Sequence, residues 1–284
     1  MMLEFDQPEA LRTWLKERRS AGKRVGFVPT MGYLHEGHLA LVDAARAKSD
    51  VVVMSIFVNP LQFGPGEDLD RYPRDLPRDR ALAEGRGVAA LFVPAVATMY
   101  PPGAEVRVVP GEAASRWEGA VRPGHFTGVL TVVAKLFHQV GPDMAFFGQK
   151  DVQQAVLIRG MVRDLDWPVE IEVVPTVRNR DGLALSSRNI YLDPAAREQA
   201  LGLSRALMRA HQRFREGVQA AADLRSAMDD VLRVYPALTV EYIAIAEPGR
   251  MQPVERVDAA TIIALAARVG ATRLIDNIVL GKGI

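Results

Sequence analysis

The chain has 284 residues and not one cysteine. That removes disulfides, thiolate metal sites and a cysteine nucleophile together. It fits a reducing cytosol, so a cytoplasmic location is expected. An excess of charge is missing too: 35 Lys and Arg stand against 34 Asp and Glu, a formal net charge of +1. No bulk field draws the chain to nucleic acid or to a membrane, so any anion site must arise from local placement. No apolar run approaches the roughly 18 residues of a membrane helix, and the longest, such as Val51 to Val58, is of strand length. Met1 to Arg12 is acidic and mixed, without the apolar core of a signal peptide. Trp14, Trp117 and Trp167 are scattered and form no stacking platform for bases. Neither nucleic acid nor membrane is expected as a partner. Lysine is scarce at six residues, a bias that thermophily and genomic base composition explain equally well.

What is present is ordinary in bulk, 49% apolar and 24% charged, as in globular proteins. The length exceeds what one core usually holds, so one large and one smaller domain are expected. Arg24 to Pro29, Val51 to Val58, Val88 to Val93, Met144 to Phe147 and Val169 to Val174 read as strands. Between them, Leu39 to Lys48, Arg78 to Glu84, Gly128 to Val140 and Val152 to Leu165 carry helical spacing. Apolar strands alternating with helices predict a doubly wound, Rossmann-like parallel α/β sheet over residues 1–176. The pattern then changes. Pro194 to Arg215 and Ala220 to Val234 read as long helices, and Leu238 to Ala246, Thr261 to Ala267 and Thr272 to Leu280 as strands. Residues 177–284 are therefore expected to form a smaller α+β domain. The Pro/Gly-rich stretch Gln62 to Pro77 is long for a plain connector and reads as a functional loop.

Three polar loops follow expected strands, where open α/β sheets bind ligands. The first is Met31-Gly32-Tyr33-Leu34-His35-Glu36-Gly37-His38. Its glycines allow close backbone approach, a helix start offers unpaired N–H groups, and two imidazoles three apart can converge on one anion. Taken alone, a tight turn with two surface histidines fits as well. It is neither a P-loop nor the dinucleotide fingerprint, and zinc proteases space their histidines by four. The second loop holds Asn59 and Gln62, amides suited to a hydroxy acid, or simply loop caps. The third holds Gly148, Gln149, Lys150 and Asp151, with Gln153 and Gln154 one turn on. Lys150 suits phosphate; Asp151 suits a ribose hydroxyl, Mg²⁺ or a helix cap. Later, Leu185, Ser186, Ser187 and Arg188 add two hydroxyls and a guanidinium. His125 stands open between helix cap and site residue, His138 reads as structural and His211 as exposed.

Taken together, these segments resemble the pantothenate synthetases, the pantoate–β-alanine ligases of the HxGH nucleotidyltransferase superfamily. The resemblance runs from Val28-Pro29-Thr30-Met31-Gly32 through HEGH at 35–38, FVNPLQF at 57–63, YPRD at 72–75 and RPGHF at 122–126. It continues through FFG at 146–148 with Lys150 and Asp151, DGLALSSRN from 181, and TRLIDN at 272–277. It implies ATP as co-substrate with Mg²⁺, (R)-pantoate and β-alanine as substrates, a pantoyl-adenylate intermediate, and AMP and pyrophosphate as products. His38, His35, Lys150 and Arg188 would be catalytic. Met31, Gly32, Tyr33, Leu34, Glu36 and Gly37 would surround the nucleotide with the two histidines. Gly148, Gln149, Lys150 and Asp151 would hold it further, Asp151 taking the metal. Val177 would meet adenine, while Leu185, Ser186, Ser187 and Arg188 would close over the phosphates. Gln62, Gln154 and Asn59 would bind pantoate or β-alanine. The family also implies a homodimer. Gln149 stands where the family usually has glutamate, and Arg78 and Asp79 vary, so no β-alanine contact is assigned there. Of the two histidines, His38 is expected to matter more, as the one nearer a helix start at Leu39.

Two other readings use the same loops. A nucleotidyltransferase acting on a phosphorylated acceptor would want more cations than the neutral amides Gln62 and Gln154 supply. A non-enzymatic nucleotide sensor would bind ATP without turnover.

Overall fold

The structure, a computed structural model, describes residues 1–283. In chain order its elements are β1 (Leu3–Phe5), α1 (Pro8–Ser20), β2 (Val25–Thr30), α2 (Glu36–Lys48), β3 (Val51–Ile56), α3 (Leu76–Gly85) and β4 (Ala90–Phe92). Next come α4 (Val96–Met99), α5 (Glu118–Val121), α6 (His125–Val140), β5 (Met144–Gly148), α7 (Val152–Asp164) and β6 (Glu170–Val174). The chain ends with α8 (Pro194–Arg215), α9 (Ala221–Leu232), β7 (Leu238–Ala246), β8 (Ile262–Val269) and β9 (Thr272–Val279). Two compact units divide them. The first contains Met1–Gly111, Arg122–Gly148 and Leu157–Val174; the second contains Glu112–Val121, Gln149–Val156 and Pro175–Ile284. A single cut after residue 176 thus misses two earlier segments, 112–121 and 149–156, which cluster with the second unit. Neither carries a change of composition that would mark it.

The first unit is built on a six-stranded sheet of order β1-β4-β3-β2-β5-β6, every pair parallel. Its central strands are apolar throughout because helices cover both faces. Val28, Met54, Leu91 and Phe146 pack with Leu41, Val42 and Ala45 of α2 and Ala83 of α3. Phe27 and Phe147 instead meet Phe137 of α6 edge-on, each with ring centroids 6.4 Å apart. From β2 the sheet grows one way through β3 and β4 and the other way through β5 and β6. The switch point lies between β2 and β5, so the carboxyl ends of these strands frame the expected ligand crevice.

Element ends depart from the apolar pattern where the ends are polar. The second helix begins at Glu36 rather than Leu39, and α6 at His125 rather than Gly128. Both first turns carry the polar residues a helix start favours, and these hide the apolar periodicity. The pair β1 and α1 was not legible. Its composition is mixed and highly charged, yet Leu11 and Leu15, four apart on one face of α1, are fully buried.

The second unit is α+β. Strands β7, β8 and β9 form an antiparallel sheet in that order, and α8 and α9 bury Leu203, Leu207, Leu224 and Met228 with Ile263, Leu265 and Ile278. Helix α8 starts with Pro194 in its first turn and Asp193 as cap, whose carboxylate accepts the Ala196 N–H at 2.7 Å. Among the described residues, no helix is long and apolar enough to cross a membrane.

Replacing Asp193 by alanine leaves that N–H without its partner. The expected cost is about 1 kcal/mol, read as a lower urea midpoint with an unchanged slope of stability against denaturant.

Candidate functional site

The loop after β2 is held from below. Thr30 donates its hydroxyl to the Ser55 carbonyl at 2.7 Å and accepts the Gly32 N–H at 3.2 Å. Asp79 of α3, 1% exposed, accepts the N–H groups of Tyr33 and Leu34 on its two oxygens, each at 2.7 Å. Burial pushes this carboxyl up, against the pull of those two N–H groups. Gly32 has φ of 81°, and a Cβ there would sit 2.9 Å from Ile56 and 3.0 Å from Asp79. Only glycine fits that approach. Leu34 is fully buried, so it can reach a ligand only through its backbone. Glu36 is held in an ion pair, its carboxylate 3.0 Å from Arg86.

The two histidines cap α2 reciprocally. His35 Nδ1 accepts the Gly37 N–H at 3.1 Å, and His38 Nδ1 accepts the His35 N–H at 3.3 Å. Their rings lie 4.0 Å apart, centroid to centroid. A neutral imidazole whose Nδ1 accepts carries its proton on Nε2. The caps therefore set both Nε2 atoms as donors at the positive end of α2. His35, not His38, stands at the helix start, because α2 begins at Glu36.

The Gln62 turn is the second part of this unit's site. Gln62 Nε2 lies 3.2 Å from the Met31 sulfur, so these two residues do come together. Asn59, expected to face a hydroxy acid, is 1% exposed and spends its amide within the protein. Its Oδ1 accepts from Leu61 N–H and the Tyr100 hydroxyl, and its Nδ2 donates to Gln62 Oε1 and the Gly128 carbonyl. It caps and orients the turn rather than offering a free amide. Gly128 of α6 seats the turn: a Cβ there would be 2.1 Å from the Leu61 carbonyl oxygen.

RPGHF supplies the clamp. Arg122 grips Glu67 with two hydrogen bonds, at 2.7 and 2.6 Å, and donates to the Gln62 carbonyl at 3.2 Å. It also donates to His125 Nε2 at 3.0 Å, which leaves Nδ1 to donate to the same Gln62 carbonyl at 2.8 Å. His125 is thus a holder of the turn. Burial raises the Glu67 carboxyl, but the Arg122 hydrogen bonds and charge outweigh it, and the net shift is downward.

In the second unit, the turn Gln149–Asp151 is held by the end motif. Asn277 Nδ2 donates to the Gln149 and Lys150 carbonyls at 2.9 Å each, and its Oδ1 accepts from the Gln149 amide at 3.3 Å. Asp276, 3% exposed, accepts the Asn277 N–H and both terminal nitrogens of Arg178 at 2.6 and 2.8 Å. Arg178 also donates to the Gly182 carbonyl, and Leu185 N–H to the Val177 carbonyl, so one frame carries Val177 and the start of the serine loop. Ser186 caps the next turn through the Arg188 N–H at 3.2 Å, and Ser187 is buried. Gln149 is buried, Lys150 half-buried and Asp151 exposed. The two glutamines of α7 separate in role. Gln153 is buried and spent on backbone groups at 113, 116 and 118, whereas Gln154 is half-buried. His138 is exposed against Trp167 at 5.1 Å, and His211 is half-buried rather than exposed.

Sequence reasoning missed Asp79, the Arg122–Glu67–His125 clamp and the Arg178–Asp276–Asn277 frame as holders. Their signal was a polar residue inside a recognised motif, but each partner lies far along the chain.

A parallel sheet with helix-capping histidines at its switch point defines a nucleotide-handling α/β enzyme. The family model described as pantoate-β-alanine ligase matches residues 4–279, and the chain belongs to that family. A pantothenate synthetase of Moorella thermoacetica is 54% identical over 271 residues, 95% of this chain and 96% of that one. The pantothenate synthetase structure from Thermus thermophilus superposes with a TM-score of 0.94 at 50% identity, covering 98% of this chain and 99% of that one. The pantoate-β-alanine ligase from Francisella tularensis, complexed with beta-gamma ATP and β-alanine, gives 0.79 at 34% identity over 100% and 99% of the two chains.

Two outcomes follow from the clamp. Gly128→Ala forces the Leu61–Gln62 backbone to move, with an expected loss of about 1–3 kcal/mol in urea unfolding. The folded Glu67 carboxyl binds its proton less tightly than the unfolded one. Its contribution is complete above the ordinary glutamate value of 4.5 and fades as pH falls through the lower folded value. Stability should therefore drop in that acid window, and Glu67→Gln should flatten this part of the profile of stability against pH.

Proposed function

We propose that the histidine caps of α2 carry the adenylation step of this ligase, with His35 and His38 donating from Nε2 to the phosphates. The chain is an AMP-forming pantoate–β-alanine ligase. In the first step a carboxylate oxygen of pantoate bonds to the α-phosphorus of ATP, and the bridging oxygen leaves with pyrophosphate. In the second, the neutral amine of β-alanine bonds to the acyl carbon, AMP departs, and the amine proton is released. Neither step needs a protein nucleophile. The protein has to position, to stabilise charge and to exclude water from the anhydride. The observation that supports the reading is the reciprocal capping, which makes both Nε2 atoms donors at the positive end of α2.

The other roles are residue by residue. Gln62, oriented by Asn59 beside Met31, and Gln154 bind pantoate. Lys150 and Arg188 neutralise phosphate, helped by Ser186 and Ser187, and Val177 and Leu185 line the nucleotide. Mg²⁺ keeps several waters and shares its oxygens with substrate phosphates. The single exposed carboxylate of Asp151 fits such a site, and no group of three metal-binding side chains exists among the described residues to make a protein cage. When bound, the ion would neutralise phosphate charge. The family resemblance also carries a homodimeric, cytoplasmic enzyme.

With ATP, pantoate and β-alanine the products should be AMP, pyrophosphate and pantothenate. His38→Ala should lose roughly 10²–10³ in turnover, as when one preorganised donor is removed. His38→Asn separates cap from donor, since its side-chain oxygen still takes the His35 N–H while no Nε2–H remains. Equal loss in both variants supports the donor role; recovery in the asparagine variant would show that capping alone matters.

A further inference from the structure

Residues 112–121 leave the first unit after Gly111 and return to it at Arg122, yet they cluster with the second unit. What holds this strap is polar and buried. Gln153, 5% exposed, donates to the Ala113 and Arg116 carbonyls at 2.9 and 3.0 Å and accepts the Glu118 N–H at 3.1 Å. The Glu118 carboxylate, 6% exposed, takes both terminal nitrogens of Arg273 on β9 at 2.8 Å each and the Tyr242 hydroxyl of β7 at 3.2 Å. Arg273 reaches Glu241 as well, at 2.7 Å. Trp117, held at a φ of 49°, donates its indole N–H to the Met251 carbonyl at 2.9 Å.

Such a buried ion pair adds little stability over an apolar pair of the same volume, because desolvation consumes most of its attraction. It does impose one geometry. Glu118 opens α5, a single turn ending at Val121, and the next residue is Arg122, which grips Glu67 and the Gln62 carbonyl. One end of this single helical turn is fixed in the second unit and the other runs directly into the clamp.

We infer that Glu118 and Arg273 are positioning residues for the Gln62 turn, and that the strap 112–121 couples the second unit to pantoate binding. The substrate half of this statement rests on Gln62 as a pantoate ligand. The coupling runs through covalent chain, with no ligand contact from Glu118 or Arg273.

The test is a Gly-Gly insertion between Ala120 and Val121, both exposed, in the full chain. It keeps the contacts at both ends and slackens what joins them. Amide hydrogen exchange at Gln62 and Phe63 should rise by about fivefold or more, and KM for pantoate by a similar factor, with KM for ATP within about twofold. Arg273→Lys should recover part of what Arg273→Met loses. Unchanged exchange at those amides overturns the coupling. Faster exchange with an unchanged pantoate KM keeps the coupling and removes Gln62 from the pantoate site. If the insertion unfolds the chain, Glu118→Gln decides by the same two readouts.

Discussion

Two backbone N–H groups of the histidine loop end on one buried carboxylate, Asp79, and the geometry of the loop hangs from them. Gly32 and Tyr33 both take left-handed φ values, 81° and 50°. Such a turn persists only if its surroundings over-determine it. Asp79 does so from α3, and Thr30 does so from the end of β2. The next residue to be set is His35, the cap of α2, and His38 follows from it. Without Asp79 the buried Leu34 N–H would lack its partner, at about 1–3 kcal/mol, the half-buried Tyr33 N–H would lose its own, and the histidines would lose their fixed start.

The same device recurs at each loop. A ligand-binding loop cannot be a helix or a strand throughout, so its buried N–H and C=O groups need side-chain partners. Arg122 and His125 converge on the Gln62 carbonyl. Asn277 gathers the carbonyls of Gln149 and Lys150. Polar residues in these motifs therefore divide into buried holders and more exposed neighbours. Asn59 and Gln153 are buried holders, whereas Gln62 and Gln154 are half-buried. Burial separates each pair, since a buried amide has its hydrogen bonds filled by protein.

That division explains what could be read from the chain. Strands β2 and β3 and helices α6, α7 and α8 declare themselves by period, so the parallel sheet and its loop ends were legible. The order of the motifs carried the family. Buried holder and more exposed neighbour were not separable, because Gln153 and Gln154 are the same residue type one position apart, and only the facing backbone decides between them. Partnerships such as Asp79 with Tyr33, Arg122 with Glu67 and Asn277 with Gln149 are set by tertiary folding, and no local pattern encodes them. The first strand and helix were lost for a different reason. Their two buried leucines are too few to stand out from a charged background.

The residue type at the start of α2 has a physical reason as well. A lysine or arginine there would bring more charge to a phosphate, but neither carries an acceptor. Neither could take the N–H groups of His35 and Gly37, and each would add a cation to the positive end of a helix dipole. A serine or aspartate would cap well, yet an ionised aspartate has no proton to donate, and a serine reaches only a short distance. A neutral imidazole accepts on one edge and donates on the other. Two of them three residues apart satisfy the helix start, and each keeps a donating nitrogen on its other edge. Their bonds to the backbone fix the tautomer, as the charge stabilisation proposed for them requires.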